Sequence, residues 1–396
     1  MSRVFFRFIM VLTAVALLCS ACGDDSSSGR SDSPIVIGVN APLTGDIPQV
    51  GESTKLAAEL WLSDIKAAGG IDVDGVWHPV SVVFRDNHAD PASAVEVTST
   101  LVLNDRALVI VGPQASSQAV PAGEVANADH TPMISPWSTN PNTTLNRPWV
   151  FRASFLDSFQ GPMIAKFVDR QFGFTRAAVL YDPNNDYSRD LAQFFRDSWQ
   201  ESHGPGSVVA NETFSAADTD VGPQIKDIMA SGAEFVFLPQ YYNQVATIIP
   251  QAHALGLKVP FVGSDSWGSA ALTDLCGADC TGLFFSSQFA AVGATGATKV
   301  FVDRYQAAYG YVPDDVAALT WDSMNIVLQA IQDCGVITGD IFADRTCVRN
   351  AMANIRNFHG ITGDMTYTEE GDPIKCGVIV RINEAGQFEF YESVCP

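Results

Sequence analysis

From residue 34 onward, short runs of β-branched and other apolar residues alternate with longer amphipathic stretches. Four runs in the first part of the chain have the length and composition of buried strands: 35–39, 80–84, 108–111 and 132–135. The stretches between them predict helices at about 53–68 and 91–103 and from Ser116 onward. Strands that alternate with helices in this way form parallel sheets covered on both faces, so the pattern predicts an α/β fold.

The alternation continues in the second half of the chain. Strands are predicted at 177–181, 207–213, 235–239 and 260–263. The helices predicted between them span about 188–202, 222–230 and 243–255. A long helical region follows at 297–355, and turn signals within 365–391 predict β-hairpins. No sequence repeat is obvious, yet the doubled architecture predicts two α/β lobes of similar size.

The size and composition of the chain agree with this interpretation. A chain of 396 residues is too long for one ordinary core, and 47% hydrophobic residues supply ample apolar material for two. The net charge of −21 repels phosphate backbones and anionic headgroups, which disfavours nucleic acid as a partner. Beyond the N-terminus, no segment reaches the roughly 20 uninterrupted apolar residues that a membrane span needs.

The first 21 residues have the pattern of a signal peptide. Arg3 and Arg7 form a basic start, and residues 8–18 form an apolar run that small residues follow. Removal of this segment would also remove the two arginines, giving the mature chain a net charge of −21 − 2 = −23.

Cys22 stands directly after the small residues Ser20 and Ala21, which resembles a bacterial lipobox. In such a motif the cysteine is lipidated and becomes the new N-terminus, although Cys19 occupies a position that usually carries Leu. The alternative is ordinary secretion, which would leave Cys22 as a spare thiol. Residues 22–33 are mostly Gly, Ser and Asp, a composition typical of a flexible tether.

Cysteine usage after Cys22 also agrees with export. An even number of cysteines in an exported chain favours disulfides, and six of them allow 15 pairings. Proximity in the sequence suggests the pairs Cys276–Cys280, Cys334–Cys347 and Cys376–Cys395. A metal site is the alternative, but these six cysteines form no CxxC and have no histidine at ligand spacing.

Polar residues follow two strands of the first half, where parallel sheets place their ligands. After the strand at 108–111, Ser116 opens a helix, whose free N–H groups and hydroxyl suit a carboxylate. After the strand at 132–135 come Trp137, Ser138 and Thr139, which combine an aromatic ring with hydroxyl groups. The alternatives are that Ser116 caps its own helix and that Trp137 packs in a proline-rich turn.

The second half of the chain has its own candidates at equivalent positions. Asp265 follows the strand at 260–263 and is a candidate partner for a ligand ammonium; its alternative role is a helix cap. Tyr187 and Tyr241 also follow strands, and their rings are placed to close over an aliphatic side chain. The recurrence of such residues at strand ends in both halves favours a binding site between them.

Several segments resemble the bacterial branched-chain amino-acid-binding proteins, the type I periplasmic receptors of ATP-driven importers. The resemblance covers essentially the whole chain after residue 33 and keeps the order of the family. The segments that carry it are 41–45, 67–71, 90–91, 133–136, 139–141, 151–152, 157–162 and 360–372.

The resemblance implies two doubly wound α/β lobes joined by a multi-strand hinge. We therefore expect one lobe at 34–155 plus 285–362 and the other at 156–284 plus 363–396. It also implies that no catalysis and no cofactor are involved, and that the partners are an ABC permease and ATPase complex.

The resemblance gives the candidate residues their roles. Ser116 and Thr139 correspond to residues that hold the ligand carboxylate, with backbone groups of Trp137 or Ser138 nearby. Asp265 corresponds to the acidic residue that meets the ammonium. The pocket tyrosines of the family fall on Tyr187 and Tyr241.

Two departures affect the expected pocket. Ala89 and Ala115 occupy the positions of a disulfide often found near the pocket, and Val50 replaces an aromatic residue of the first loop. We expect Trp137 to compensate for the lost ring.

The predicted function is therefore that of a lipid-anchored, extracytoplasmic and monomeric solute-binding protein that captures an amino acid for an importer. A hydrolase is disfavoured because the chain has no G-x-S-x-G, H-E-x-x-H or P-loop motif. The alternatives that keep the fold are an amide, urea or organic acid as ligand, and presentation of the ligand to a sensor.

Overall fold

The computed structural model describes residues 29–31, 34–269 and 271–396, within which there are eleven α-helices and eighteen β-strands. The helices are α1 Pro48–Ala68, α2 Pro91–Leu103, α3 Ser116–Ala128, α4 Asp157–Phe172, α5 Asp186–His203, α6 Gly222–Ser231, α7 Tyr242–Ala254, α8 Ala271–Cys276, α9 Gly296–Tyr309, α10 Asp315–Asp333 and α11 Ile341–Ala353. The strands up to Tyr181 are β1 Gly29–Arg30, β2 Ile35–Ala41, β3 Ile71–Val73, β4 Val76–His78, β5 Val80–Asp86, β6 Val109–Val111, β7 Met133–Ser135, β8 Val150–Arg152 and β9 Ala177–Tyr181. Those after it are β10 Val208–Thr213, β11 Phe235–Phe237, β12 Phe261–Gly263, β13 Phe284–Ser287, β14 Phe358–Gly360, β15 Gly363–Tyr367, β16 Pro373–Ile374, β17 Gly377–Ile382 and β18 Phe388–Val394.

The first large sheet consists of five parallel strands in the order β5-β2-β6-β7-β8. Alternate residues of its strands point to opposite faces. Ile37 and Val39 pack on the face that also buries Trp61 of α1, whereas Ile110 and Met133 pack on the face covered by α2 and α3. Because both faces of the central strands β2 and β6 are buried, these strands are mostly apolar, whereas the edge strand β5 is partly exposed.

The second large sheet has seven strands in the order β10-β9-β11-β12-β13-β17-β18. The first five are parallel, and β17 and β18 add an antiparallel hairpin at one edge. Its core is rich in aromatic residues, with Phe195, Trp199, Phe235 and Phe237 in mutual contact. Smaller three-stranded sheets have the orders β1-β4-β3 and β14-β15-β16.

The chain passes between the two large sheets at three places: after β8, after β13 and before β17. A buried lysine links two of these crossings, because Lys375 Nζ donates to the backbone oxygen of Ala153 (3.0 Å) and to Thr362 Oγ1 (2.8 Å). The nearby carboxylate of Asp322 accepts from the backbone N–H groups of Ile361 and Thr362. The crossings are therefore tied together by buried polar contacts.

Most of the predicted elements are confirmed within one to five residues. The predicted helical region at 297–355 is divided into α9, α10 and α11, and the predicted hairpins are β15–β16 and β17–β18. The sequence did not predict β8, β13 or α4, although the FRASFLDSFQGP segment was noted for its resemblance. None of the helices among the described residues is long and apolar enough to cross a membrane.

The N-terminal expectations fall largely outside the described residues, including the signal peptide at 1–21 and the lipidation of Cys22. One part of the predicted tether differs from expectation. Gly29 and Arg30 pair in parallel with Val76 and Trp77, and Ser31 N donates to the backbone oxygen of Trp77. The edge of β4 offers backbone groups with which residues 29–31 can pair. Composition alone does not indicate this pairing.

The six cysteines after Cys22 lie in three close pairs. The sulfur atoms lie at bonding distance in the pairs Cys276–Cys280, Cys334–Cys347 and Cys376–Cys395. The last pair closes the β17–β18 hairpin near its open end.

Candidate functional site

The first polar group of the site lies where β6 leads into α3. Gly112 follows β6 with φ of 98°, and a Cβ there would lie 2.1 Å from the backbone oxygen of Asn40, so only glycine fits this turn. Ser116 is the first residue of α3, whose N-cap is Ala115 without a side-chain capping bond. The Ser116 hydroxyl instead accepts hydrogen bonds from Ser138 Oγ (2.9 Å) and Asn140 N (3.4 Å). Ser116 therefore does not cap its own helix.

The loop after β7 lies beside this helix end. Ser138 Oγ bridges Ser116 and Thr143 Oγ1 (2.7 Å), while the backbone oxygen of Ser138 accepts from Arg152 Nη1 (2.9 Å). Thr139 is buried, and its backbone oxygen accepts from Asp157 N (2.8 Å) at the start of α4. These contacts fix the loop on both sides.

Asp265 follows β12 at the start of a short 3-10 turn, Asp265–Trp267. Its side chain does not cap this turn, whose N-cap is Ser264. Asp265 Oδ1 accepts a hydrogen bond from the Tyr187 hydroxyl (2.6 Å), and its backbone N–H donates to Gln160 Oε1 (3.0 Å). Burial raises the pKa of the Asp265 carboxyl to about 6, and the hydrogen bonds from Tyr187 and Gln160 only partly oppose this.

Three aromatic rings lie together at the same place. The ring centroids of Tyr187 and Tyr241 are 5.5 Å apart, and those of Tyr241 and Trp137 are 5.9 Å apart. Tyr187 lies in the first turn of α5, and Tyr241 is the N-cap residue of α7. The rings therefore bring together α5, α7 and the loop after β7.

These residues surround one small cavity between the carboxyl ends of the two large sheets. Its lining residues are Gln114, Ala115, Ser116, Trp137, Tyr187, Tyr241, Asp265 and Ser266. The cavity volume is about 10 Å³, which is enough for roughly one water molecule. Ser116, Trp137, Tyr187, Tyr241 and Asp265 thus line one cavity, whereas Ser138 and Thr139 are not among its lining residues. Val50, in α1, is not among the lining residues.

Gln114 is a lining residue that the sequence analysis did not select. Its side chain is fully buried, and neither its amide nitrogen nor its amide oxygen has a hydrogen-bond partner among the described residues. An amide in this state costs free energy unless a ligand or water satisfies it. The signal was available in part, because Gln114 directly precedes Ala115 and Ser116 in the segment between β6 and α3.

Two further buried carboxylates, also missed from sequence, lie near Asp265. Burial and the charge of Asp265 raise the pKa of Asp157 well above its usual range, with opposition from Thr139 and Arg152. Burial, then Asp314 and Asp265, raise the pKa of Asp315 in the same direction. Neither residue was a candidate from the sequence, because α4 was not predicted and residue 315 fell inside a single predicted helical region at 297–355. Together with Asp265 they make the site strongly receptive to positive charge.

The polar groups of the site are complementary to the two charges of a zwitterion. Hydroxyl and helix N-terminal N–H groups on one side suit a carboxylate, and a buried carboxylate on the other suits an ammonium. Among the described residues, no group of three or more His, Cys, Asp or Glu side chains could hold a metal ion.

Known proteins resemble the chain in sequence over most of its length. The chain is 27% identical over 339 residues to the Leu/Ile/Val-binding protein of Escherichia coli, covering 85% of this chain and 88% of that protein. It is 30% identical over 258 residues to the leucine-specific-binding protein of Salmonella typhimurium, covering 65% of this chain and 68% of that protein.

A solved structure agrees with the fold. The branched-chain amino acid transporter substrate-binding protein LivJ of Streptococcus pneumoniae, in complex with isoleucine, superimposes with a TM-score of 0.83. The two chains are 29% identical, and the match covers 92% of this chain and all of that one. The two large sheets and the crossings between them are therefore those of the type I periplasmic binding protein fold. A family model described as periplasmic binding protein matches residues 34–387, and the chain belongs to that family.

Proposed function

We propose that the protein is an extracytoplasmic solute-binding protein that captures an amino acid between two lobes and delivers it to an ABC importer, without catalysing a reaction. One observation carries the proposal: Ser116 and Asp265, which follow strands of different sheets, line the same small cavity. The hydroxyl of Ser116 and the N–H groups at the start of α3 can donate to a ligand carboxylate, and Asp265 across the cavity can accept from a ligand ammonium. These are the two charged groups of an amino acid.

The proposed ligand carboxylate accepts from the Ser116 hydroxyl and from the first N–H groups of α3, with Thr139 behind them. The positive end of the α3 dipole adds to the stabilisation. The proposed ligand ammonium pairs with Asp265, which the Tyr187 hydroxyl orients at 2.6 Å. Tyr187, Tyr241 and Trp137 enclose the rest of the ligand, and Ser138 supports the site through its hydrogen bond to Ser116.

We assign the lobes to residues 34–155 plus 285–362 and 156–284 plus 363–396, joined by the three crossings. A cavity of about 10 Å³ cannot admit an amino acid, so the lobes have to separate, or the rings have to move, before binding. Ligand contacts on both lobes would then favour closure, which is the differential affinity that such a switch requires.

The relatives support the ligand class. The similar protein of E. coli is described as binding leucine, isoleucine and valine, and that of S. typhimurium as binding leucine. The S. pneumoniae structure holds isoleucine.

We further propose that the mature chain acts as a monomer, anchored through a lipid on Cys22 and facing the periplasm or the outer cell surface. Its proposed partners are the permease and ATPase of an ABC importer.

A thermal-shift screen of the mature chain tests the proposed function. We expect at least one α-amino acid to raise the melting temperature, because a ligand at about 100 times its Kd stabilises the folded state by about 2.7 kcal/mol. Asp265→Asn should remove the shift while changing the melting temperature of the unliganded protein little. The matched control Asp340→Asn alters an exposed helix cap far along the chain and should keep the shift. A screen in which only carboxylic acids without an amino group stabilise the protein, equally in Asp265→Asn, would refute the proposal.

A further inference from the structure

A second and larger cavity has a volume of about 160 Å³. Its lining includes Gly268, Ser287, Phe289, Pro313, Asp315 and Phe388. Asp315 joins the two cavities, because Asp315 Oδ2 accepts from Trp137 Nε1 (3.3 Å) and Trp137 lines the small cavity. This hydrogen bond links a lining residue of the small cavity to a lining residue of the larger one.

Asp315 is only partly satisfied in this position. Its side chain is buried, with 2% of the residue exposed. Oδ2 accepts from Trp137 and, at 3.4 Å, from Ser287 Oγ, whereas Oδ1 has no hydrogen-bond partner among the described residues. A buried carboxylate oxygen without a hydrogen-bond donor lowers the stability of the folded state. A ligand that donates to Asp315 Oδ1 would explain the presence of this carboxylate.

The chain approaches this carboxylate closely from the Asp265 side. Gly268 ends the turn that Asp265 begins, with its N–H donating to the backbone oxygen of Asp265 (2.9 Å). A Cβ at position 268 would lie 2.6 Å from Asp315 Cγ and Oδ1. Gly268 thus lets the turn that carries Asp265 lie directly against Asp315.

The buried cations of the region direct their donors elsewhere. Lys375, whose charge interacts with that of Asp315, donates to Ala153 and Thr362. Arg152 pairs with Asp372 and donates to the backbone oxygens of Ser138 and Asn140. Asp315 lies in the first turn of α10, where the helix dipole favours a negative charge. The dipole does not explain why Oδ1, beside a cavity, lacks a hydrogen-bond donor within the described part of the chain.

We propose that the 160 Å³ cavity is a side-chain subsite for a cationic amino acid, whose terminal ammonium or guanidinium is received by Asp315. This inference rests on the proposed function, since Ser116 and Asp265 hold the α-carboxylate and α-ammonium of the same ligand. The ligand side chain extends past Trp137, and its cationic end replaces the indole N–H at Asp315. Gln114 supplies an amide to the polar part of the ligand in the small cavity.

Isothermal titration with L-lysine, L-arginine and L-norleucine tests this subsite. Norleucine has the same carbon chain as lysine but lacks the terminal ammonium, so the ratio of their Kd values isolates the contribution of that group. We expect the wild-type protein to prefer lysine or arginine to norleucine by about 30-fold or more. Asp315→Asn should weaken the cationic ligand by about 30-fold and norleucine by less than about threefold.

The control Asp344→Asn changes a buried aspartate that accepts from Thr338 and Gly339 near α11, and it should leave the ratio unchanged. If Asp315→Asn does not fold, the wild-type ratio alone still decides the matter. Tighter wild-type binding of norleucine or leucine than of lysine and arginine would overturn the subsite and leave the proposed function standing. Equal weakening of lysine and norleucine by Asp315→Asn would also overturn it. Binding of none of these amino acids would count against the proposed function as well.

Discussion

Asp265 is 1% exposed and accepts a hydrogen bond from the Tyr187 hydroxyl. Its charge interacts with that of a second buried carboxylate, Asp157. The pKa of about 6 means that the unliganded protein holds Asp265 protonated in mildly acidic solution and ionised at neutral pH. A ligand ammonium favours the ionised form, so binding and deprotonation of Asp265 are coupled.

This coupling predicts a pH-dependent affinity. Below about pH 6 the ligand has to displace a proton from Asp265, so lowering the pH from 7 to 5 should weaken L-lysine or L-norleucine by about 10-fold. Titration calorimetry at several pH values measures this change. Asp265→Asn has no such proton to displace and should show a weak, nearly flat profile; a wild-type affinity that does not change with pH would contradict the assignment.

The same carboxyl group affects stability with a definite sign. Because its folded pKa lies above the unfolded value of 3.8, the folded state binds more protons between these values. Its contribution to stability is therefore fully present below about pH 4 and is lost as the pH rises through about 6. The difference corresponds to about 3 kcal/mol. Asp157 and Asp315 contribute in the same direction.

At the residue scale, the site residues that directly follow strands were predicted from the sequence. The carboxylates at the starts of α4 and α10 were not. Asp265 and Ser116 could be selected because strand ends of parallel sheets meet at one edge. Asp157 and Asp315 could not, because their proximity to Asp265 depends on how the chain crosses between the sheets. Gln114 was overlooked because only the structure reveals that its amide is buried without a partner.

At the scale of elements, Arg152 connects the end of β8 to the site loop and to a hinge segment. It is fully buried and donates to Asp372 Oδ1 (2.6 Å), Thr144 Oγ1 (2.8 Å) and the backbone oxygens of Ser138 (2.9 Å) and Asn140 (2.8 Å). Burial lowers the pKa of the guanidinium, and Asp372 opposes that change. Arg152 is therefore one of the side chains that hold the loop carrying Trp137 to Thr139.

Replacing this arginine should destabilise the whole chain. Arg152→Met removes the charged partner of the partly buried Asp372, whose carboxylate keeps only the hydrogen bond from Thr144 among the described residues, and a donor to the backbone oxygen of Asn140. We expect a loss of about 3–5 kcal/mol in the free energy of unfolding, measured by urea titration. Arg349→Met removes an exposed arginine that donates to Pro148 and should change the value by less than about 0.5 kcal/mol. A loss below about 1 kcal/mol for Arg152→Met would show that the loop does not depend on this network.

The elements themselves differ in how well the sequence predicts them. Long periodic segments such as α5 and α7 were predicted because their apolar residues recur at helical spacing. The strands β8 and β13 were not predicted; each begins with two apolar residues and ends in polar ones, Arg152 in β8 and Ser286 and Ser287 in β13. Helix α4 contains Gly161 and Pro162, which obscure its start, although its N-terminal part is where Asp157 enters the site.

At the scale of the whole molecule, the two sheets meet in a closed arrangement. Asn140 Nδ2, in the loop after β7, donates to Asp190 Oδ2 of α5 (2.8 Å), and Asn243 Nδ2 of α7 donates to the backbone oxygen of Asp46 (2.9 Å). These few polar contacts and the stacked aromatic rings hold the two sides of the cavity together. Such an interface can open at modest cost, as ligand entry into so small a cavity requires.

The most direct test of the account is a double-mutant cycle between Asp265 and the ligand α-ammonium. Isothermal titration would compare L-lysine with ε-aminocaproate, which lacks only the α-amino group, on wild-type protein and Asp265→Asn. Norleucine and hexanoate replace this pair if the aliphatic ligand binds more tightly. We expect loss of the α-amino group to weaken wild-type binding by about 30-fold or more and to change binding to Asp265→Asn by less than about threefold. Equal losses in both proteins would contradict the claim that Asp265 receives the ammonium of a ligand held between the lobes.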